Sequence, residues 1–364
     1  MNKYLEKRYA LLGKTANKSH DFTIRLRKFF TNPINHFLLF AIVAFVVGDL
    51  SVKKVLPYSF QSTFAITFAY AIASVGFCLL MGYSGLASLG TGGFIGIGTY
   101  SVYYILYVSG LRFWIAILVA LLVAALIGVI VGFISLRIEG IYLVILTLGL
   151  SEILRSIYMV VADKIKASNF YILNGFLVKR QHSIFIVVIA LLVVMIITHN
   201  MINSPTGRAM LAMKNSSAAA QAMGISLIKY RLMAFVICTM YAALAGVMLM
   251  ITVRSASASD GTGFYALITS LNILAAVIIG GYKSIWGAVF GTVVMYGMQT
   301  VVLNRIDFLT KQPPEVIPFI LGILVIIVVM FYPGGLAQLL AELKFKIKKL
   351  LAKLREVRYG KDLG

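Results

Sequence analysis

Apolar runs of roughly 17–25 residues, repeated from one end of the chain to the other, constrain this sequence more than any other feature. That is the helix length needed to cross a ~30 Å hydrocarbon core. Inside lipid only helices and closed barrels satisfy their own backbone. Barrel strands alternate apolar and polar residues over segments of about ten, and these runs do not alternate. The expected fold class is therefore all-α: a polytopic transmembrane helical bundle. Composition agrees, with 60% hydrophobic and only 12% charged residues, against roughly a quarter charged in soluble domains.

The windows fall at about 34–50, 60–82, 90–109, 113–136, 141–162, 184–200, 227–251, 264–281, 283–304 and 316–332. This predicts about ten spans, or eight to ten if the glycine-rich third window and the fifth, with Glu152 and Arg155, do not cross cleanly. An even count puts both termini on one side. Basic residues favour the cytoplasmic side of a membrane, and with both ends inside, two thirds of the Lys and Arg residues lie there. Residues 1–33 then form a basic cytoplasmic tail too long and polar to be a cleaved signal. Residues 34–333 form the transmembrane domain. Residues 334–364 follow as a basic amphipathic cytoplasmic helix, with Leu336, Leu340, Leu343, Ile347, Leu350, Leu354 and Val357 on one stripe that suits the membrane surface. The net charge of +21 reads as attraction to anionic lipid, not as nucleic-acid binding.

Several chemistries lack their motifs. Gly13-Lys14-Thr15 resembles the end of a P-loop, but Arg8 occupies the upstream glycine position and no strand precedes it. Gly96-Ile97-Gly98 starts a dinucleotide fingerprint that ends on Ser101, inside an apolar run. His20, His36, His182 and His199 are scattered, and Cys78 and Cys238 lie within apolar runs, so neither a metal nor a nucleophile cluster is expected.

Three segments carry more information. Gly82 to Gly98 holds seven glycines: Gly82, Gly85, Gly90, Gly92, Gly93, Gly96 and Gly98. In a membrane this predicts a broken helix, close helix contact, or both. Unwound backbone there would line a translocation path. The segment 136–155 is polar in its middle, at Thr147, Gly149, Ser151 and Glu152. Polar groups at depth need partners or a cavity, and Glu152 stands three residues from Arg155, the spacing of a local ion pair. The segment 204–224 is a polar internal connection with an alanine-rich centre, closed by Gly224 as a helix stop. A short exposed helix with no apolar face to bury makes sense as a knob inserted into a partner.

Together these segments resemble the LivM-type permease subunit of branched-chain amino acid ABC importers. The likeness rests on the glycine-rich stretch, then Arg137, Gly140, Tyr142, Thr147, Leu148, Glu152 and Ile153, then Gly207, Arg208, Ala209, Ala219, Ala220, Ala222, Gly224 and Ile225. It continues through Tyr230, Ala234-Phe235, Ala245-Gly246, Gly280-Gly281, Ser284, Trp286-Gly287 and Phe331-Tyr-Pro-Gly-Gly-Leu336. The sequence departs from the family at Ser217 and Gln221, where acidic residues are frequent. The resemblance implies a transport subunit of the bacterial inner membrane with no ATPase site and no bound cofactor of its own. ATP and Mg would be used by two cytoplasmic ATP-binding subunits docked on the coupling helices of the paired permeases, in this chain at Gly207, Arg208, Ala219, Ala220, Ala222 and Gly224. A second, LivH-like permease would complete the pore, and an external solute-binding protein would deliver the solute. Gly85, Gly90, Gly92, Gly93, Gly96, Gly98, Thr147 and Glu152 would belong to the translocation path. The same architecture would serve an amide, urea or a sugar, and an ion-coupled carrier would use Glu152 as its titrating group.

Overall fold

A computed structural model describes residues 33–52, 58–135, 140–162, 164–166, 171–173, 176–177, 182–258, 267–297, 316–332, 334–339 and 342. The tail expected over 1–33, apart from Pro33, and most of the amphipathic helix expected over 334–364 lie outside the described residues.

A helix lies over each of the ten apolar windows. They are α1 (Pro33–Val52), α2 (Tyr58–Leu79), α3 (Thr91–Val102), α4 (Phe113–Ser135), α5 (Ile141–Ala162) and α6 (Ser183–Asn203). Two short helices follow, α7 (Pro205–Asn215) and α8 (Ser217–Ala222). The rest are α9 (Leu227–Val253), α10 (Leu267–Gly280), α11 (Ile285–Thr292) and α12 (Val316–Phe331). Widened π turns extend α2 over Leu80–Ser84, α3 over Tyr103–Val108 and α11 over Val293–Gly297. The protein is a helical membrane protein. Among the described residues five helices are long and apolar enough to cross a membrane by length and composition: Phe60–Ser84, Phe113–Ile134, Ile141–Val161, Ser183–Asn203 and Leu227–Val253. Among the described residues the strands are short antiparallel pieces on the connections. Lys164–Lys166 pairs with Ser255–Ser257, and Tyr171–Leu173 with Phe176–Leu177.

Helices α2 and α9 form the centre: 83% and 78% of their apolar windows are buried inside the protein, against 28% for α4 and 22% for α5. Around α9 pack α2, α3 and α4, while α2 also meets α6, α10 and α11. Small residues make these approaches possible. Helix α4 buries Ala116, Ala120, Ala124 and Gly128 at four-residue spacing, and a Cβ on Gly128 would run into the Thr239 hydroxyl of α9. Helices that lipid does not drive together associate through such close contacts. The opposite face of α4 exposes Trp114, Leu118, Leu122, Leu126 and Ile130. A surface that apolar belongs in hydrocarbon, because in water it would be a liability for aggregation.

Candidate functional site

The segment between α2 and α3 is where the chain leaves and re-enters helix inside the bundle. After the π turn, Gly85 takes a left-handed φ of +75° and donates its N–H to the Leu80 carbonyl. Residues 85–90 are not helical, and α3 starts at Thr91. A helix start leaves backbone N–H groups without partners in its own ladder, and an unpaired N–H is costly in lipid. Here hydroxyls accept them, three from neighbouring helices and one, Ser88, from the segment itself. Leu89 N–H donates to Thr147 Oγ1 at 3.0 Å, Gly90 N–H to Ser88 Oγ at 3.2 Å, Gly92 N–H to Ser270 Oγ at 2.8 Å and Gly93 N–H to Ser151 Oγ at 2.9 Å.

Helix α5 supplies the rest of this seam from one face. Thr147, Ser151, Leu154 and Tyr158 are spaced by four, three and four residues, and all are buried. A Cβ on Gly93 would meet Leu154 and Ser151, and one on Gly96 would enter the Tyr158 ring. The Tyr158 hydroxyl donates to the Gly93 carbonyl at 2.8 Å, and its ring stacks on Tyr100 with centroids 4.5 Å apart. On the other side of α3, Gly98 abuts the Ala243 carbonyl of α9 and Gly246 of α9 abuts the Ile95 carbonyl. Of the glycines assigned to the path from sequence, Gly90, Gly92, Gly93, Gly96 and Gly98 are therefore buried, and Gly85 is exposed. Thr147 sits beside Gly90 and is fully buried.

Glu152 lies next to this stripe but off it. It pairs with Arg155 at 2.9 Å, as the spacing suggested. Arg155 also donates to the Ala258 carbonyl at 3.2 Å, which ties α5 to the chain just after α9. Glu152 borders an open groove of about 480 Å³ along the outer face of α5, lined also by Ile153, Ser156, Ile157, Val160 and Val161.

The alanine-rich connection forms two helices broken at Ser216, where the backbone is extended and the side-chain Oγ caps α8 by accepting the Ala219 N–H at 3.3 Å. The sequence suggested a helix with no apolar face to bury. The structure corrects this: Met210 and Met213 of α7 and Ala220 of α8 are buried. Alanine is too small to announce a buried face, so the pattern was hidden. Gly207 is buried against the Ile202 carbonyl, and exposed Arg208 donates to the Asn203 carbonyl at 3.4 Å. Ala219, Ala222 and Gly224 are exposed, with Gly224 at φ +78° and open space around it. Between the last two stands Met223, 69% exposed. Its side chain was overlooked in sequence, although a large apolar residue beside a helix stop on a polar loop is a visible signal. Arg231 of α9 donates to Ser217 Oγ at 3.3 Å, anchoring α8 to the bundle.

Lys214 stands near the end of α7. Its ammonium donates to the carbonyls of Met81 at 3.0 Å and Gly82 at 2.8 Å, and lies 4.6 Å from the centre of the Tyr282 ring. Those carbonyls end the helical run of α2, where the helix dipole is negative and a cation is favoured. Hydrogen bonds made by a charged group are worth about 1.5–3 kcal/mol each. Burial first, and then the charge of Lys283, pull the Lys214 ammonium below the ordinary lysine value. The same turn of α2 meets the α10–α11 connection: Cys78 Sγ donates to the Tyr282 carbonyl at 3.2 Å, and Gly82 abuts that carbonyl. Beyond α12, Gly334 and Gly335 pack backbone to backbone on Gly281.

The family described as "branched-chain amino acid transport system / permease component" matches residues 59–329, well over half of the chain. The chain belongs to this family. It is 29% identical over 301 residues to the high-affinity branched-chain amino acid transport system permease protein LivM of Salmonella typhimurium, covering 74% of this chain and 68% of that protein. It is 28% identical over 301 residues, with the same coverage, to the protein of the same description from Escherichia coli. The LivM-type resemblance read from the motifs is thus supported over most of the chain. The matched range contains the break after α2, the glycine seam, the α7–α8 connection and the α10–α11 turn, and ends before Gly334-Gly335.

Proposed function

We propose that this chain is the membrane-spanning permease subunit of an ABC-type importer in the bacterial inner membrane, carrying a branched-chain or related amino acid. The observation that carries the reading is α8: a short helix anchored by buried Ala220 and by Arg231, yet exposing Ala219, Ala222, Met223 and Gly224. Exposed apolar groups on an otherwise polar connection mark a binding surface. Residues 204–224 are this chain's coupling loop, on which one of the two ATP-binding subunits docks. ATP and Mg belong to those partners. The solute follows from the branched-chain amino acid transport for which the LivM relatives are named. A second, LivH-like permease and an external solute-binding protein complete the importer.

The chain crosses the membrane ten times with both termini cytoplasmic. Support comes from how the connections group. Lys214 joins the connections after α2, α7 and α10, and Gly335 joins the one after α12 to the one after α10. The connections after α5 and α9 pair with each other through Lys164–Lys166 and Ser255–Ser257. In a ten-span chain, each group lies on one side.

The translocation path follows the α3–α5 seam. Gly85 stands at its inner mouth, Gly90, Gly92, Gly93, Gly96, Gly98 and Thr147 lie along it, and Glu152 flanks it. Unwound helix ends that line a cavity are where transporters place polar solute groups.

The test is reconstitution of the chain with its second permease, ATPases and binding protein in liposomes. Leucine uptake that requires ATP and ignores an imposed proton or sodium gradient supports the reading. Uptake by this chain alone under an ion gradient overturns it in favour of a carrier.

A further inference from the structure

We propose that Lys214 is the residue through which the docking element moves the broken helix: a positioning residue for energy coupling. This rests on the reading of residues 204–224 as the ATPase-docking loop. The docking surface of α8 and the break after α2 are far apart in sequence, and a displacement of one must reach the other through contacts. Lys214 spans them. It is the penultimate residue of α7, two residues before the Ser216 cap of α8. Its stem lies on the hinge glycine: a Cβ on Gly85 would sit 3.2 Å from Lys214 Cγ. Its ammonium holds the Met81 and Gly82 carbonyls, while the Gly85 and Leu86 N–H groups both go to Leu80. The helix thus leaves those two carbonyls outside its own ladder, and the lysine supplies the missing donors. The Tyr282 ring closes the node, with Lys214 at 4.6 Å and Lys283 at 5.8 Å from its centre.

An ammonium on a flexible stem follows its carbonyls as α7 shifts, and it leaves them without breaking a covalent or backbone bond. A shift of α8 therefore pulls on the end of α2 at the point where Gly85 permits the chain to turn.

The experiment compares Lys214→Met and Lys214→Arg with the parent in the full reconstituted importer. Three quantities are read: co-purification of the ATPases, ATP hydrolysis, and ATP-driven uptake of leucine. Lys214→Met keeps the stem and removes the donors. The expected result is retained docking and hydrolysis with uptake reduced about tenfold or more, within the usual span of coupling between sites. Lys214→Arg, which restores a charged donor, recovers most of the uptake. Parent-like uptake in Lys214→Met overturns the proposal while leaving the importer reading intact. Loss of ATPase binding in both variants also overturns it, because the residue is then merely structural. A parent complex without ATP-driven uptake overturns the importer reading and this proposal with it.

Discussion

At the scale of single residues, the glycines divide sharply by what surrounds them. Gly98 and Gly246 place backbone against backbone between α3 and α9, so any Cβ must force the helices apart. Gly149 of α5 has nothing within 4 Å. Gly98→Val should destabilise the protein by about 1–3 kcal/mol or more through overpacking, read as a lower melting temperature and less monodisperse protein in detergent. Gly149→Ala should be neutral or stabilise by up to about 1 kcal/mol, the difference in helix propensity. The glycine richness of 82–98 was legible in the sequence, and so was its meaning as close contact. Which glycine touches which helix was not, because the partners lie far along the chain. Glu152 gives a second prediction. Its ion pair with Arg155 is local, and Arg155 keeps the Ala258 carbonyl as an acceptor. Glu152→Gln should leave ATP-driven uptake and its pH profile unchanged. A variant that loses pH dependence would point to a titrating role instead.

At the scale of elements, α8 is small enough that each face has one function. Ala220 faces inward and Met223 outward. Met223→Glu should abolish co-purification of the ATPases while the permease still inserts and elutes as folded protein. Ala220→Leu should instead lower the stability of the chain itself by about 1–3 kcal/mol, measured by thermal unfolding in detergent. These two outcomes separate docking from packing within one short helix. The helices themselves were legible from their apolar runs, since lipid leaves the chain little other choice. The two-helix form of 204–224 was not. Ser216 breaks it through an extended backbone that no composition signals, and the burial of Met210 and Met213 depends on where α7 lands. The hydroxyl partners of α3 were half legible: Thr147 and Ser151 made α5 conspicuously polar, but Ser270 gave no sign of its distant amide.

At the scale of the whole molecule, the contacts among connections predict sidedness. A cysteine at Ser216 should react with an impermeant maleimide only in inside-out vesicles, and one at Ser257 only in right-side-out vesicles. Native Cys78 and Cys238 are buried and free, so background labelling should be low. Labelling of both positions from one side would overturn the ten-span arrangement. The sequence supported that arrangement only through its basic residues. Contacts such as Lys214 with the Met81 and Gly82 carbonyls add a spatial argument that charge counting cannot supply.

The hydroxyls that accept the amides around the start of α3 have a mechanical consequence. Each is a neutral group on a single rotatable bond, and none brings a fixed charge to the seam. Interhelical hydrogen bonds of this kind contribute on the order of 0.6 kcal/mol each in membranes, because alternative partners are always near. Helix α3 is therefore held more by the fit of its glycines than by its polar partners, and none of these four acceptors adds a fixed charge to the seam.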